Sequence, residues 1–200
     1  MQVGDPVLRA KALPIPPEKV RSKPVQQLIE WMRETMHDAP GVGLAAPQVG
    51  VALQLAVIED RAESMRDIPP EQLAERERKP VPFQVVINPK IRLRGSEVEF
   101  FEGCLSMPGF TAVVPRARMA RVDCLNHRGQ PVSIHAFGWH ARILQHEIDH
   151  LKGVVYIDRM RSPSLTTADN FTRHWKHRPV ADVIRHLSGR TVSPPPRRKR

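Results

Sequence analysis

The stretch QHEIDHLKG, Gln145 to Gly153, sets two histidines four residues apart, with a glutamate directly after the first. Residues four apart on a helix share a face, so His146 and His150 can present their imidazoles to one metal ion. Glu147 lies about a hundred degrees further round the helix, close to the ion but outside its ligand shell. A carboxylate there can take a proton from a water whose pKa the ion lowers. Catalytic centres of this kind take three protein ligands and keep one position open. The third ligand therefore decides how the chain is read.

Downstream routes close quickly. The extended peptidase pattern HExxHxxGxxH keeps its glycine as Gly153 but has Tyr156 where the third histidine belongs. A glutamate from a later helix is the other common solution, and Glu147 is the last glutamate in the chain. Asp158, Asp169 and Asp182 stand in no recognisable setting. His174, His177 and His186 fall in a basic tail, where solvent exposure is expected. Upstream stands FFEGCLSMPGF, residues 100–110. Cys104 follows Gly103, and a glycine there lets backbone approach a metal or substrate closely. A thiolate with two imidazoles is a sensible tetrahedral set with water in fourth place. Cys124, alternating within RVDCL, reads as strand packing. The nominated ligands are Cys104, His146 and His150.

The rest of the chain supplies the frame. Val25, Leu28, Ile29, Met32 and Met36 fall on one helix face, with Pro24 in the first turn and DAPG ending the run. GVGLAAPQVG is too glycine-rich for a regular element, and LQLAVIE after it reads as a buried strand. Residues 61–80, charged and proline-bearing, read as a surface excursion with one helical turn. FQVVIN, EVEFF, TAVV and RMARVDCL are strand candidates; NHRGQ is a turn before PVSIHA. Helical periodicity resumes at about Gly138 and runs to Leu151. The order predicts an α+β domain with mostly antiparallel sheets packed around a central helix that carries the HExxH motif.

Two hundred residues suit one domain and a tail. At 40 % hydrophobic and 26 % charged the chain is ordinary for a globular protein. No run approaches the ~18 apolar residues of a membrane span. The N-terminus lacks the features of a signal or transit peptide, so the chain is expected to stay where it is made, in the cytoplasm. Charge divides it. Residues 1–160 carry 21 Lys+Arg against 19 Asp+Glu, whereas residues 161–200 carry 10 against 2. The last dozen residues, ending SPPPRRKR, are expected to be disordered.

With GVGLAAPQ (41–48), EGCLS (102–106) and HEIDH (146–150) in this order, the sequence resembles the peptide deformylase family over roughly residues 1–160. The stretches GWHARILQHE and FFEGCLSMPGF are most like the branch that includes organelle-type enzymes, so a processed organellar form is also compatible. The resemblance implies hydrolytic removal of the formyl group from the N-formylmethionine of newly made polypeptides. It implies Cys104, His146 and His150 as metal ligands, with Fe(II) native and zinc, nickel or cobalt able to replace it. Glu147 is then the general acid/base, and the Gln48 side chain and Leu105 N–H are the donors to the developing oxyanion. Gly43 is implied to let an extended substrate approach. Val42, Phe100, Trp139 and Ile143 are implied to line the methionine pocket. Arg142 stands where many relatives carry an aliphatic residue, on the pocket's rim, and Arg116 is a conceivable partner for Asp149. Nascent formylmethionyl chains are the expected partner, together with a ribosome contact through the basic tail. No membrane or DNA partner is expected. Residues 1–160 are thus expected to be the catalytic domain and 161–200 a basic extension.

Overall fold

The computed structural model describes residues 1–39 and 41–187. The expectation for the last dozen residues lies outside that range. Helix α1 spans Lys23–Asp38, with Pro24 in its first turn, and buries Val25, Ile29, Met32 and Met36. Then come β1 (Gly43–Ala45), β2 (Leu55–Asp60) and a short α2 (Pro70–Glu75). The long strands β3 (Val81–Cys104) and β4 (Met107–Leu125) lead into β5 (Pro131–Phe137) and α3 (Gly138–Leu151). A two-residue β6 (Thr166–Thr167), α4 (Ala168–His174) and α5 (Val180–Leu187) complete the described chain. The strands pair antiparallel in sequence order, β1-β2-β3-β4-β5, and β6 adds to β4.

β2 explains why LAVI is continuous rather than alternating. Leu55 and Val57 face a core with the α1 residues Ile29, Met32 and Met36. Ala56 and Ile58 face a second core with Leu144, Ile148 and Leu151 of α3. Both faces of this strand are covered, so neither set of positions can be polar.

Two features differ from the sequence expectation. The glycine-rich loop contains regular structure, since Gly43, Leu44 and Ala45 pair with Ile58, Val57 and Ala56. Three residues are too few to show a period, and the pairing is imposed by burial on both sides. The strand candidates FQVVIN and EVEFF belong to one bent strand, as do TAVV and RMARVDCL. β3 and β4 stay paired from Ile87↔Leu125 to Cys104↔Met107, with shifts at Ile87/Lys90, Arg94/Glu97 and Gly103/Cys104. Gly95, at φ +79°, lies in the middle shift, and such bulges bend a strand while breaking its side-chain alternation. The sequence pattern stops there; the hydrogen-bonded ribbon does not.

Pro179 separates α4 from α5. Phe171 packs on Phe101 with ring centroids 4.8 Å apart, and Val180 and Ile184 join a cluster with Phe100 and Val113. Cys104 and Cys124 are both free, and Cys124 is buried in the core that β4 shares with α3. Among the described residues no helix is long and apolar enough to cross a membrane.

The end of α3 gives a test of packing. Gly153 has φ +74°, and a Cβ there would run into the Arg9 carbonyl. Gly129, at φ +75°, has no neighbour closer than 3.7 Å. Gly153→Ala should therefore cost about 3 kcal/mol and Gly129→Ala about 1 kcal/mol, the left-handed backbone alone. Urea unfolding of both variants measures the difference, and equal losses would refute the steric contribution.

Candidate active site

The turn between β3 and β4 puts Cys104 at a strand end, and α3 crosses beneath it. The donor atoms of Cys104, His146 and His150 all lie within 4.8 Å of one another. Cys104 Sγ is 3.3 Å from His150 Nε2, and the two imidazole centroids are 5.0 Å apart. The sequence nominated these three, and the fold brings them together across about forty residues. His174, His177 and His186 are exposed, as expected.

Glu102, two residues before the cysteine, fixes the geometry around them. Its carboxylate accepts from Arg116 Nε and Nη2, each at 3.0 Å, and from Arg142 Nη1 at 2.7 Å. His146 Nδ1 lies 3.0 Å from its other oxygen. Burial alone would raise the Glu102 pKa; the Arg116 charge and the His146 hydrogen bond overcome it and hold the carboxyl well below its usual range. An ionised carboxylate only accepts, so His146 Nδ1 carries the proton and its Nε2 lone pair is free for a metal. Asp149 continues the network, accepting from Arg116 and from Arg159 Nε and Nη2 at 2.6 and 2.8 Å. The suggested Arg116–Asp149 pair is thus present.

Glu147 is buried, and its Oε2 has no hydrogen-bond partner. Burial pushes its pKa up to about 7, against the opposing charge of His146. Gly43 of β1 passes directly over it, so that a Cβ there would overlap the Glu147 carboxylate. Close approach of a substrate is one reason for a glycine at 43; room for Glu147 is another that only the structure reveals. Gln48 follows β1 in a 3-10 turn spanning Ala46–Val49. Its Oε1 accepts from Ala45 N–H at 2.8 Å, which turns Nε2 toward Ser106 Oγ at 3.2 Å and Cys104 Sγ at 3.5 Å. The amide therefore presents its donors to the site.

One cleft gathers Val42, Gly43, Gln48, Gly103, Cys104, Leu105, Trp139, Ile143, His146 and Glu147. Of the sequence-based pocket residues, Phe100 does not line it. Phe100 is buried with Val113 and Val180, and Phe101 lines the cleft instead. Two adjacent phenylalanines on a bent strand cannot be told apart by sequence. Arg142 lies in the floor rather than on the rim, buried against Glu102, Val114 O and Val98 O. The signal missed was a charged residue in the buried face of α3, which needs an equally buried acid.

The donor set suits a divalent ion: one thiol and two imidazoles converge, one imidazole has its tautomer set, and an unpartnered buried carboxyl oxygen stands alongside. A single such centre on a helix, beside a buried glutamate, is the arrangement of a mononuclear metallohydrolase. Residues 1–165 match the family model for polypeptide deformylase, and the chain belongs to that family. It is 47 % identical over 173 residues to peptide deformylase 3 of Streptomyces avermitilis, covering 86 % of this chain and 75 % of that one. It is 43 % identical over 171 residues to the chloroplastic peptide deformylase 1A of Solanum lycopersicum, covering 85 % of this chain but only 62 % of that protein. Among solved structures, the Met-Ala-Ser-bound class I type b peptide deformylase of Acinetobacter baumannii aligns with TM-score 0.70 at 30 % identity, over 80 % of this chain and 95 % of that one.

Glu102→Gln separates positioning from mere proximity. An amide cannot hold two guanidiniums or fix the His146 tautomer, so zinc affinity should fall ~10–100-fold and stability by about 3 kcal/mol. Arg142→Met leaves Arg116 on Glu102 and should lower stability while changing zinc affinity much less. Competition with a chromogenic chelator reads affinity directly. Parental zinc affinity in Glu102→Gln would show that this carboxylate does not position the ligand.

Proposed function

We infer that this chain hydrolyses the formyl group from N-formylmethionyl peptides, giving formate and a free amino terminus. The observation that carries the reading is the convergence of Cys104, His146, His150, Glu147 and Gln48 on one cleft. Family membership supports it, as does the Met-Ala-Ser tripeptide named for the Acinetobacter structure.

Cys104, His146 and His150 would hold the ion, proposed as Fe(II), with zinc, nickel or cobalt suited to the same donors. When bound, the ion supplies Lewis acidity, lowering the pKa of water and polarising a carbonyl. Glu147 accepts the proton of the water that adds to the formyl carbon. As the C–N bond breaks, it returns that proton to the departing amine nitrogen. Gln48 Nε2 and the Leu105 N–H donate to the oxygen on which negative charge develops, and Gln48 is already oriented for this by Ala45. Val42, Trp139, Ile143 and Phe101 form the apolar slot for the methionine side chain, with Phe100 behind them. Every residue in these roles lies within 1–160, so the proposed catalytic domain keeps those bounds, in the cytoplasm or as a processed organellar form.

Anaerobic protein reconstituted with Fe(II) should release formate from formyl-Met-Ala-Ser and leave Met-Ala-Ser intact. Glu147→Ala should keep one metal per chain and lose at least ~10²-fold in kcat, whereas Cys104→Ser should lose metal as well. Cleavage of internal peptide bonds without formate would sink the reading. Parental rates in both variants would overturn the residue assignments.

The basic extension, residues 161–200 with 10 Lys+Arg against 2 Asp+Glu, is proposed to contact the ribosome. Co-sedimentation with ribosomes should weaken steeply with salt and weaken further on removal of that extension. Equal, salt-insensitive pelleting of both forms counts against the contact.

A further inference from the structure

The β3–β4–β5 sheet packs one face on α3 and turns the other to solvent. On the solvent face, Lys90, Arg92 and Arg94 of β3 stand opposite Asp123, Arg121 and Met119 of β4. The next strand sets His135 opposite Arg121 and Phe137 opposite Met119. These side chains are exposed or half-buried; the Arg92 side chain is 67 % exposed and Phe137 is 59 % exposed.

Four permanent cations here meet one carboxylate. Asp123 lies 3.1 Å from Arg121 and 4.0 Å from Arg92, and it also takes the Ser133 hydroxyl. One sheet face thus holds a surplus of three positive charges, whereas residues 1–160 as a whole hold a surplus of two. The register makes this unfavourable in isolation, because Arg92 and Arg121 stand directly opposite each other, with His135 next in the row. Like charges directly opposite one another destabilise a sheet, and an anion laid along the row relieves that repulsion.

Charge alone would fit any polyanion; the rest of the surface is more selective. Three of the four cations are arginines, whose planar fork takes phosphate bidentately. Same-face residues along β3 recur about every 6.6 Å, giving a line of cations rather than a point. At the end of that array Phe137 lies open, beside a cleft whose wall includes His135, His140, Lys79 and Glu77, the last already paired with Arg118. An exposed aromatic ring at the end of a line of cations gives a nucleobase a surface to stack on while its phosphates meet the cations. We propose that this face binds single-stranded RNA, its phosphates along Lys90, Arg92, Arg94 and Arg121 and a base on Phe137. The catalytic cleft lies on the α3 side, so RNA and peptide occupy opposite faces. The inference is independent of the reaction assigned above and concerns a surface other than the basic extension.

The test uses the full chain, so that the extension contributes equally to every protein compared. Binding of a short labelled oligouridylate is measured by fluorescence anisotropy across a KCl series. In the triple variant Lys90→Ser/Arg92→Ser/Arg94→Ser, the slope of log affinity against log salt should become shallower by about 2. Phe137→Ala should bind roughly tenfold more weakly at the parental slope. Thermal melting followed by circular dichroism verifies that both variants stay folded. A parental slope in the triple variant overturns the proposal and leaves the extension as the RNA contact. Parental affinity in Phe137→Ala overturns it too, by removing the reason to prefer RNA over another polyanion. A third arm uses vesicles of anionic phospholipid. Loss of vesicle binding with RNA binding intact would assign the face to a membrane surface and refute RNA.

Discussion

Glu102 has been taken out of water at a position where two arginines and a histidine converge on its two oxygens. Desolvating a carboxylate costs several kcal/mol, and the cost is met only when good geometry supplies replacement hydrogen bonds. Here Arg116 holds both oxygens, Arg142 comes from α3, and His146 takes the remaining direction. Because Arg116 also binds Asp149, which in turn binds Arg159, the network ties the β3 end, β4, α3 and the segment after α3 together. Removing Glu102 from this set would leave Arg142 buried without its carboxylate partner. The helix that carries both histidines is held in register with the cysteine strand by electrostatics as much as by packing.

Packing does the rest from two sides. β2 is covered by the α1 core on one face and the α3 core on the other, which keeps β1 in place beside it. β1 carries Gly43 over Glu147 and leads directly into the turn that presents Gln48. A short strand would be marginal alone. Buried on both sides, it fixes the Gln48 amide relative to the Glu147 carboxylate. The cleft thus lies where the two cores meet.

The chemistry was far more legible in the sequence than the support around it. His146, Glu147 and His150 announce themselves by helical spacing, and Cys104 by its setting between Gly103 and Leu105. α1 followed from periodicity because it buries one stripe, Val25, Ile29, Met32 and Met36, whereas α3 is buried almost all round and stood out by the spacing of its motif. Three things were hidden. The bulges in β3 and β4 break alternation without breaking pairing, so one strand looked like two. Phe100 and Phe101 are chemically identical and adjacent, and only the bend of the strand decides which faces the cleft. Arg142 was placed on the rim by its position in the family pattern; its partner, Glu102, is forty residues away and was visible only as a motif letter.

The two histidines are not equivalent, although the motif writes them alike. Glu102 stays ionised because the Arg116 charge and the His146 hydrogen bond outweigh its burial, and an ionised carboxylate leaves His146 one choice of tautomer. Its Nε2 is therefore the nitrogen left for a metal. His150 has no such partner; its Nδ1 is buried without a hydrogen bond, while Nε2 lies against the Cys104 sulfur. One ligand is preset by charge and the other by proximity to the thiol. Arg142 has a further consequence for His146. By drawing on the same Glu102 oxygen as Arg116, it weakens the pull of that carboxylate on the Nδ1 proton. The imidazole is oriented without being stripped of the proton that defines its tautomer.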